Sequence, residues 1–99
     1  NPDAFNLKTK RLVDVKVSEG TNGKNIVQGS MKEASKQGAQ ELILHLTKKP
    51  DSYKEMYSAL RMNIEKNRNK VVETITVVFP DNAVKKYDIE RIRQKIRKR

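Results

Sequence analysis

Hydrophobic and polar residues alternate near the start of the chain in a pattern that predicts a β-strand. Residues 13–17 read valine, aspartate, valine, lysine, valine, so an extended backbone sends three valines to one face and the acid and the amine to the other. The polar residues 8–10 separate an earlier extended run, residues 4–7, from residues 11–17, which predicts a hairpin. We expect the valine face to join the core and the opposite face to carry any chemistry.

The rest of the chain alternates between helical and extended patterns. Residues 83–87 are the exception, because they fit either an edge strand or a loop. The expected elements are a helix from residue 24 or 25 to 37, a strand over 41–47, a helix that begins at the capping box of Ser52 and Glu55, a strand over 71–79, and a last helix over 88–99 with Asp88 as its N-cap. The strand over 41–47 is apolar on both faces, as in the middle of a mixed or parallel sheet. This order predicts an α/β fold with a mixed central sheet flanked by helices.

Composition and charge limit what the chain can be and what it can bind. Its 99 residues suit a single domain, and we find neither a membrane-spanning segment nor a signal peptide. A net charge of +10 predicts a polyanionic partner, with nucleic acid first and an acidic protein second. The chain has no cysteine, so a metal site would use oxygen ligands or the single histidine, which favours magnesium or manganese over structural zinc.

An acid and an amine two residues apart on a strand suit phosphodiester chemistry. The carboxylate of Asp14 can hold a hard divalent cation, and the ammonium group of Lys16 can stabilise the charge that develops on a phosphate under attack. A second acid, Asp3, follows Pro2 where the chain enters the hairpin. A tight hairpin would place Asp3 and Asp14 on adjacent strands.

Pro-Asp, a hairpin and then Asp-x-Lys is a pattern that resembles the PD-(D/E)xK nucleases. The resemblance implies a restriction-endonuclease-like core in which Asp3, Asp14 and the backbone carbonyl of Val15 bind Mg²⁺ or Mn²⁺ and Asp3, Asp14 and Lys16 are catalytic. That core usually begins with a helix that supplies a further acid, whereas only two residues precede Asp3 here. The helix is therefore expected upstream of this sequence, or else the site works without it.

A narrower resemblance is to the C-terminal toxin domains of contact-dependent growth inhibition (CdiA) proteins that act as transfer-RNA nucleases. It covers residues 1–79 and is carried by residues 1–4, 13–16, 20–26 and 32–39. The resemblance implies a toxin at the end of a large secreted surface protein, which cleaves tRNA in the cytoplasm of a competing bacterium. It also implies that a cognate acidic immunity protein blocks the toxin.

Further residues are candidates for contacts with phosphate or substrate. The loop before the first helix is rich in small polar residues that could line a phosphate, and it includes Thr21, Lys24 and Asn25; an ordinary connector is the alternative. Lys36 and Gln37 occupy positions where several nucleases of the PD-(D/E)xK superfamily carry a Lys or Gln that reaches the scissile phosphate; a solvated or helix-capping amide is the alternative for Gln37. The basic last helix is either a clamp on a sugar-phosphate backbone or a solvated terminal helix.

Two other functions fit the same residues. One is a basic binding or assembly module without catalytic activity, in which Asp14 and Lys16 form an ordinary ion pair. The other is a DNA-cleaving nuclease of a phage or mobile element. Incubation with RNA and duplex DNA, with and without Mg²⁺, separates these possibilities.

Overall fold

Strands and helices alternate through most of the chain. The computed structural model describes residues 4–98. The elements in that range are β1 (Ala4–Asn6), β2 (Arg11–Ser18), α1 (Gly23–Lys36), β3 (Glu41–Leu46), α2 (Tyr53–Glu65), β4 (Thr74–Val78), β5 (Val84–Asp88) and α3 (Ile89–Arg97). The predicted order is confirmed, and the segment that fitted either a strand or a loop is strand β5.

The strands form one mixed sheet in the order β1-β2-β3-β4-β5. The central strands β2, β3 and β4 are parallel, and the edge strands β1 and β5 are antiparallel to their neighbours. Each parallel pair is joined through a helix, as parallel strands require. The mixed central sheet predicted from the sequence is therefore confirmed.

The hairpin between β1 and β2 forms although it lacks an Asn-Gly or Asp-Gly turn. The side-chain oxygen of Asn6 accepts hydrogen bonds from the backbone N–H groups of Lys8 and Thr9, at 3.0 and 3.2 Å. Lys10 takes the left-handed conformation with φ 59°, and its N–H donates to the Asn6 carbonyl at 2.7 Å. The side chain of Asn6 thus stabilises the turn in the absence of the usual glycine.

All three helices pack on the same side of the sheet. Helix α1 contacts β2, β3 and α2, and α3 contacts α2 and β5. The buried core lies between these helices and the sheet, and its most enclosed large side chains are Met31, Leu42, Leu44, Leu46 and Val72. None of the helices within residues 4–98 is long and apolar enough to cross a membrane.

The helices cover the face of β2 that carries Asp14 and Lys16, and the valines lie on the other face. Asp14 pairs in register with Leu42 and Lys16 with Leu44, so the acid and the amine share the face that the helices cover. On the other face Val13 is buried, whereas Val15 and Val17 are 40% and 62% exposed. The expectation that the valine face is core is therefore wrong for Val15 and Val17, because the helices cover the face that carries the buried leucines of β3.

The starts of α1 and α2 are capped and tied to each other. The side chains of Asn22 and Ser52 accept hydrogen bonds from Asn25 N–H and Glu55 N–H, at 3.0 and 3.1 Å, as N-cap residues do. Asp51 accepts a hydrogen bond from Gly23 N–H at 3.1 Å through its side chain. The predicted start of α2 at Ser52 is confirmed, and the same end of the sheet carries the start of α1.

Candidate active site

Asp14 and Lys16 form an ion pair on the helix-covered face of β2. Asp14 is only 2% exposed, and its Oδ2 lies 3.8 Å from Lys16 Nζ. Two residues apart on an extended strand, both side chains point to the same side. The structure therefore brings together two of the three residues predicted to be catalytic, and the third, Asp3, lies outside the described residues.

A carboxylate that the sequence analysis did not select joins this pair. Glu33 of α1 places its Oε1 3.3 Å from Lys16 Nζ, so one ammonium group lies between two carboxylates. Its side chain is 57% exposed, in contrast to the buried Asp14. The sequence contains a signal for Glu33, because it is the only acid of the helix that follows the Asp-x-Lys strand.

The local charge at this site is opposite in sign to that of the whole chain. Asp14 and Glu33 bring two negative charges to one positive charge on Lys16, in a chain whose net charge is +10. A buried carboxylate is costly unless a nearby cation offsets it. Lys16 supplies such a cation for Asp14.

The donor set at the site is compatible with magnesium. Within residues 4–98, no group of three or more histidine, cysteine, aspartate or glutamate side chains gathers to hold a metal ion. Mg²⁺ is commonly held by one or two carboxylates and keeps several water molecules, so Asp14 and Glu33 fit its requirements. The backbone carbonyl of Val15 stays a predicted ligand, and Val15 pairs in register with Ile43 of β3.

Three predicted phosphate contacts lie at the start of α1. Thr21, Lys24 and Asn25 are exposed. The Thr21 carbonyl accepts a hydrogen bond from Asp51 N–H at 2.8 Å, which ties its loop to the start of α2. Because α1 rises about 1.5 Å per residue, Lys24 lies roughly 13 Å along the helix axis from Glu33. These residues would contact a different part of a long substrate from the part at Lys16.

The other two predicted contacts lie at the opposite end of α1, close to Glu33. Lys36 is exposed and one turn beyond Glu33. Gln37 is half-buried and caps the helix, and its backbone N–H donates to the Glu33 carbonyl at 3.0 Å. Lys36 and Gln37 are therefore better placed than Thr21, Lys24 and Asn25 to act beside Asp14 and Lys16.

The single histidine does not join the site. His45 pairs in register with Val17, so it lies on the face opposite Asp14 and Lys16, where it is exposed. Among residues 4–98, the ionisable groups brought together at the site are therefore two carboxylates and an amine.

Comparison with known proteins identifies a shared fold. No protein-family model matches the chain, and no curated protein matches it. A solved structure, the "CdiA-CT/CdiI toxin and immunity complex from Burkholderia pseudomallei", is similar with a TM-score of 0.61 and 14% sequence identity. The match covers 89% of this chain and 68% of the chain in that complex. At this identity the likeness shows that the two chains share a fold.

Proposed function

We propose that this protein is a metal-dependent endonuclease that hydrolyses phosphodiester bonds in RNA, with transfer RNA as its substrate class. The observation that carries the proposal is that the carboxylates of Asp14 and Glu33 lie 3.8 and 3.3 Å from the ammonium nitrogen of Lys16. Carboxylates can hold the metal ion and an amine can stabilise charge on the phosphate in metal-assisted phosphodiester hydrolysis. The excess of positive charge over the whole chain favours a nucleic acid as the substrate.

Each residue of the site has a distinct role in this proposal. Asp14 and Glu33 would hold Mg²⁺ together with the predicted ligands Asp3 and the Val15 carbonyl. When bound, Mg²⁺ supplies a more acidic water and neutralises charge on the phosphate. Lys16, which lies beside both carboxylates, would contact the phosphate with its ammonium group. There it stabilises the negative charge that grows during attack.

The shared fold supports a biological setting for this activity. The similar structure is a toxin and immunity complex, and we propose that this chain likewise acts as a contact-dependent growth inhibition toxin in the cytoplasm of a competing bacterium. An acidic immunity protein would complement its charge of +10. Delivery as the C-terminal part of a large surface protein belongs to the same proposal.

The direct test is cleavage by the purified protein. Total tRNA, total RNA and duplex DNA are each incubated with the protein in Mg²⁺ or in EDTA. We expect cleavage of tRNA in Mg²⁺ and none in EDTA. Asp14→Asn and Lys16→Ala should each lower the rate about 100-fold or more, the scale on which removal of one transition-state interaction acts.

A matched control separates loss of chemistry from loss of charge. Lys32→Ala removes one exposed lysine from α1 and should cleave at nearly the rate of the unmodified protein. Salt-sensitive RNA binding without cleavage in any sample would contradict the proposal and favour the basic binding module. Cleavage of duplex DNA in preference to RNA would favour the nuclease of a phage or mobile element.

A further inference from the structure

A groove opens between α2 and the hairpin of β4 and β5. Its volume is about 340 Å³, near the lower end of the range for sites that bind small molecules. Leu44, Val77 and Met31 line its base, and aromatic rings from α2 and the hairpin line its walls. The groove is therefore large enough for one flat heterocycle but too small for a helix.

Most of the aromatic residues of the chain are gathered in this groove. The chain has three tyrosines and two phenylalanines, and four of these five residues line the groove: Tyr53, Tyr57, Phe79 and Tyr87. Tyr53 and Tyr57 remain 48% and 40% exposed, although burial of aromatic surface is favourable. A ligand that covers these rings would recover that free energy.

The rings meet in pairs that are not stacked face to face. Tyr53 and Phe79 are edge to face, with centroids 5.4 Å apart and planes at 80°. Tyr57 and Tyr87 are tilted at 41° with centroids 6.1 Å apart. Because neither pair uses parallel stacking, the groove retains the capacity to stack a further flat ring.

Two charged side chains, Lys85 and Asp81, also line the groove. Lys85 holds its Nζ 5.3 Å from the centroid of the Tyr87 ring, and the Asp81 carboxylate accepts a hydrogen bond from Ala83 N–H at 3.0 Å. An ammonium group beside an aromatic surface is the combination that binds single-stranded nucleic acid, because the rings stack on bases and the cation neutralises phosphate. An uncharged apolar ligand would gain nothing from Lys85.

The groove and the candidate active site share the helix-covered face of the sheet. The strand register places Lys16, Leu44, Val77 and Lys85 in one row across the sheet. With strands about 4.8 Å apart, Val77 lies roughly 10 Å from Lys16. Helix α1 lies between them: Met31 lines the groove and Glu33 reaches Lys16, about 200° apart around the helix.

We propose that this groove binds one unpaired nucleobase of the RNA substrate, while the scissile phosphate lies across α1 at Lys16. The inference rests on the proposed function, and it specifies an RNA with an unstacked base, such as a loop, instead of a continuous duplex. A base within a duplex keeps its faces covered by its neighbours and cannot enter a groove of this size.

The test measures binding without cleavage. In the Asp14→Asn background, an RNA hairpin with 2-aminopurine in its loop is titrated by fluorescence, beside a duplex RNA of equal length. Tyr53→Leu combined with Tyr57→Leu removes the rings but keeps apolar bulk. We expect it to weaken hairpin binding about 5- to 150-fold, the range that base stacking on aromatic residues gives, and to leave duplex binding nearly unchanged.

Two controls keep the result interpretable. Tyr53→Phe combined with Tyr57→Phe retains both rings and should retain hairpin affinity. Val84→Ala changes an exposed residue of β5 outside the groove and should also retain it. Thermal unfolding of each variant verifies that the fold is intact.

The possible outcomes distinguish the inference from the function on which it rests. Unchanged hairpin binding by the leucine variant would overturn the inference, even if the unmodified protein cleaves RNA. Selective loss of hairpin binding supports the inference, even if no cleavage by the unmodified protein is found. Absence of cleavage by the unmodified protein would count against the proposed hydrolysis alone.

Discussion

Lys16 contacts two carboxylates that belong to different elements of the fold. Asp14 precedes it on the same strand and is buried, and Glu33 reaches it from α1. An ion pair as exposed as that with Glu33 contributes only about 0–1 kcal/mol to the free energy of unfolding. The pair with Glu33 is therefore a minor contributor to the stability of the fold.

Replacing Glu33 with glutamine tests whether it acts as a ligand. We expect Glu33→Gln to lower RNA cleavage about 10- to 100-fold, as loss of a group that supports a metal site does, and to raise the Mg²⁺ concentration needed for half-maximal rate. The measurement is the initial rate of cleavage against Mg²⁺ concentration.

A matched carboxylate is available as the control. Glu65 is also half-exposed and pairs with one cation, Arg61, at 3.5 Å, but it lies on α2 away from β2. Glu65→Gln should leave the Mg²⁺ dependence unchanged. Equal effects of the two substitutions would contradict a specific role for Glu33.

The sequence could predict Asp14 and Lys16 because a strand with period two fixes them on one face. It could not predict which face the helices cover, since valines alternate with both residues. Glu33 was missed for a related reason: helix periodicity shows which positions face outward but not which strand residue lies opposite them. That information depends on how far α1 is shifted along β2.

At the scale of elements, the close approach of α1 and α2 depends on one glycine. A Cβ atom at Gly23 would lie 2.5 Å from Met56 Cγ and 2.8 Å from the carbonyl oxygen of Ser52. The methionine can move, but the backbone oxygen belongs to the N-cap of α2 and cannot move without disturbing it. The packing of the first turn of α1 against the first turn of α2 therefore requires a residue without a side chain at position 23.

Two glycine substitutions on the same helix should act in opposite directions. We expect Gly23→Ala to lower the free energy of unfolding by about 1–3 kcal/mol through overpacking. Gly29→Ala should raise it by about 0.5–1 kcal/mol, because alanine favours the helix and its Cβ meets nothing within 4 Å. Urea unfolding of both variants measures the difference, and shifts of the same sign would contradict the packing argument.

Element boundaries followed from local chemistry where a capping residue was present. Ser52 and Asp88 start α2 and α3 as predicted, and the side chain of Asp88 accepts from Arg91 N–H at 3.2 Å. Residues 83–87 were ambiguous because β5 is mostly exposed, so burial leaves little pattern in its sequence. Its strand conformation is fixed by pairing with β4 and by a turn with Asn82 at φ 69°.

At the scale of the whole molecule, positive charge is spread well beyond the candidate site. Helix α3 buries Ile89 and Ile92 against the core and exposes Arg91, Lys95, Arg97 and Lys98. It packs on β5 and α2, and β5 is three strands from β2, about 14 Å across the sheet. A single RNA could therefore contact α3 and Lys16 at once.

The salt dependence of binding tests whether α3 is a clamp. We expect Arg91→Ala with Lys95→Ala to weaken RNA binding and to reduce the slope of log affinity against log salt by about 0.7 for each phosphate that the variant no longer neutralises. Gln94→Ala, an uncharged change on the same exposed surface, should leave the slope unchanged. An unaltered slope in the double variant would show that α3 is a solvated helix without a binding role.

The strand order has a consequence for how the chain reaches its native state. Every strand of the described sheet pairs with the strand that comes before or after it in the sequence. The sheet can therefore grow by adding one segment at a time, in the order in which the polypeptide emerges. Each of its two parallel pairs first has to close a loop of about 30 residues, so we expect these pairings to form more slowly than the two antiparallel ones.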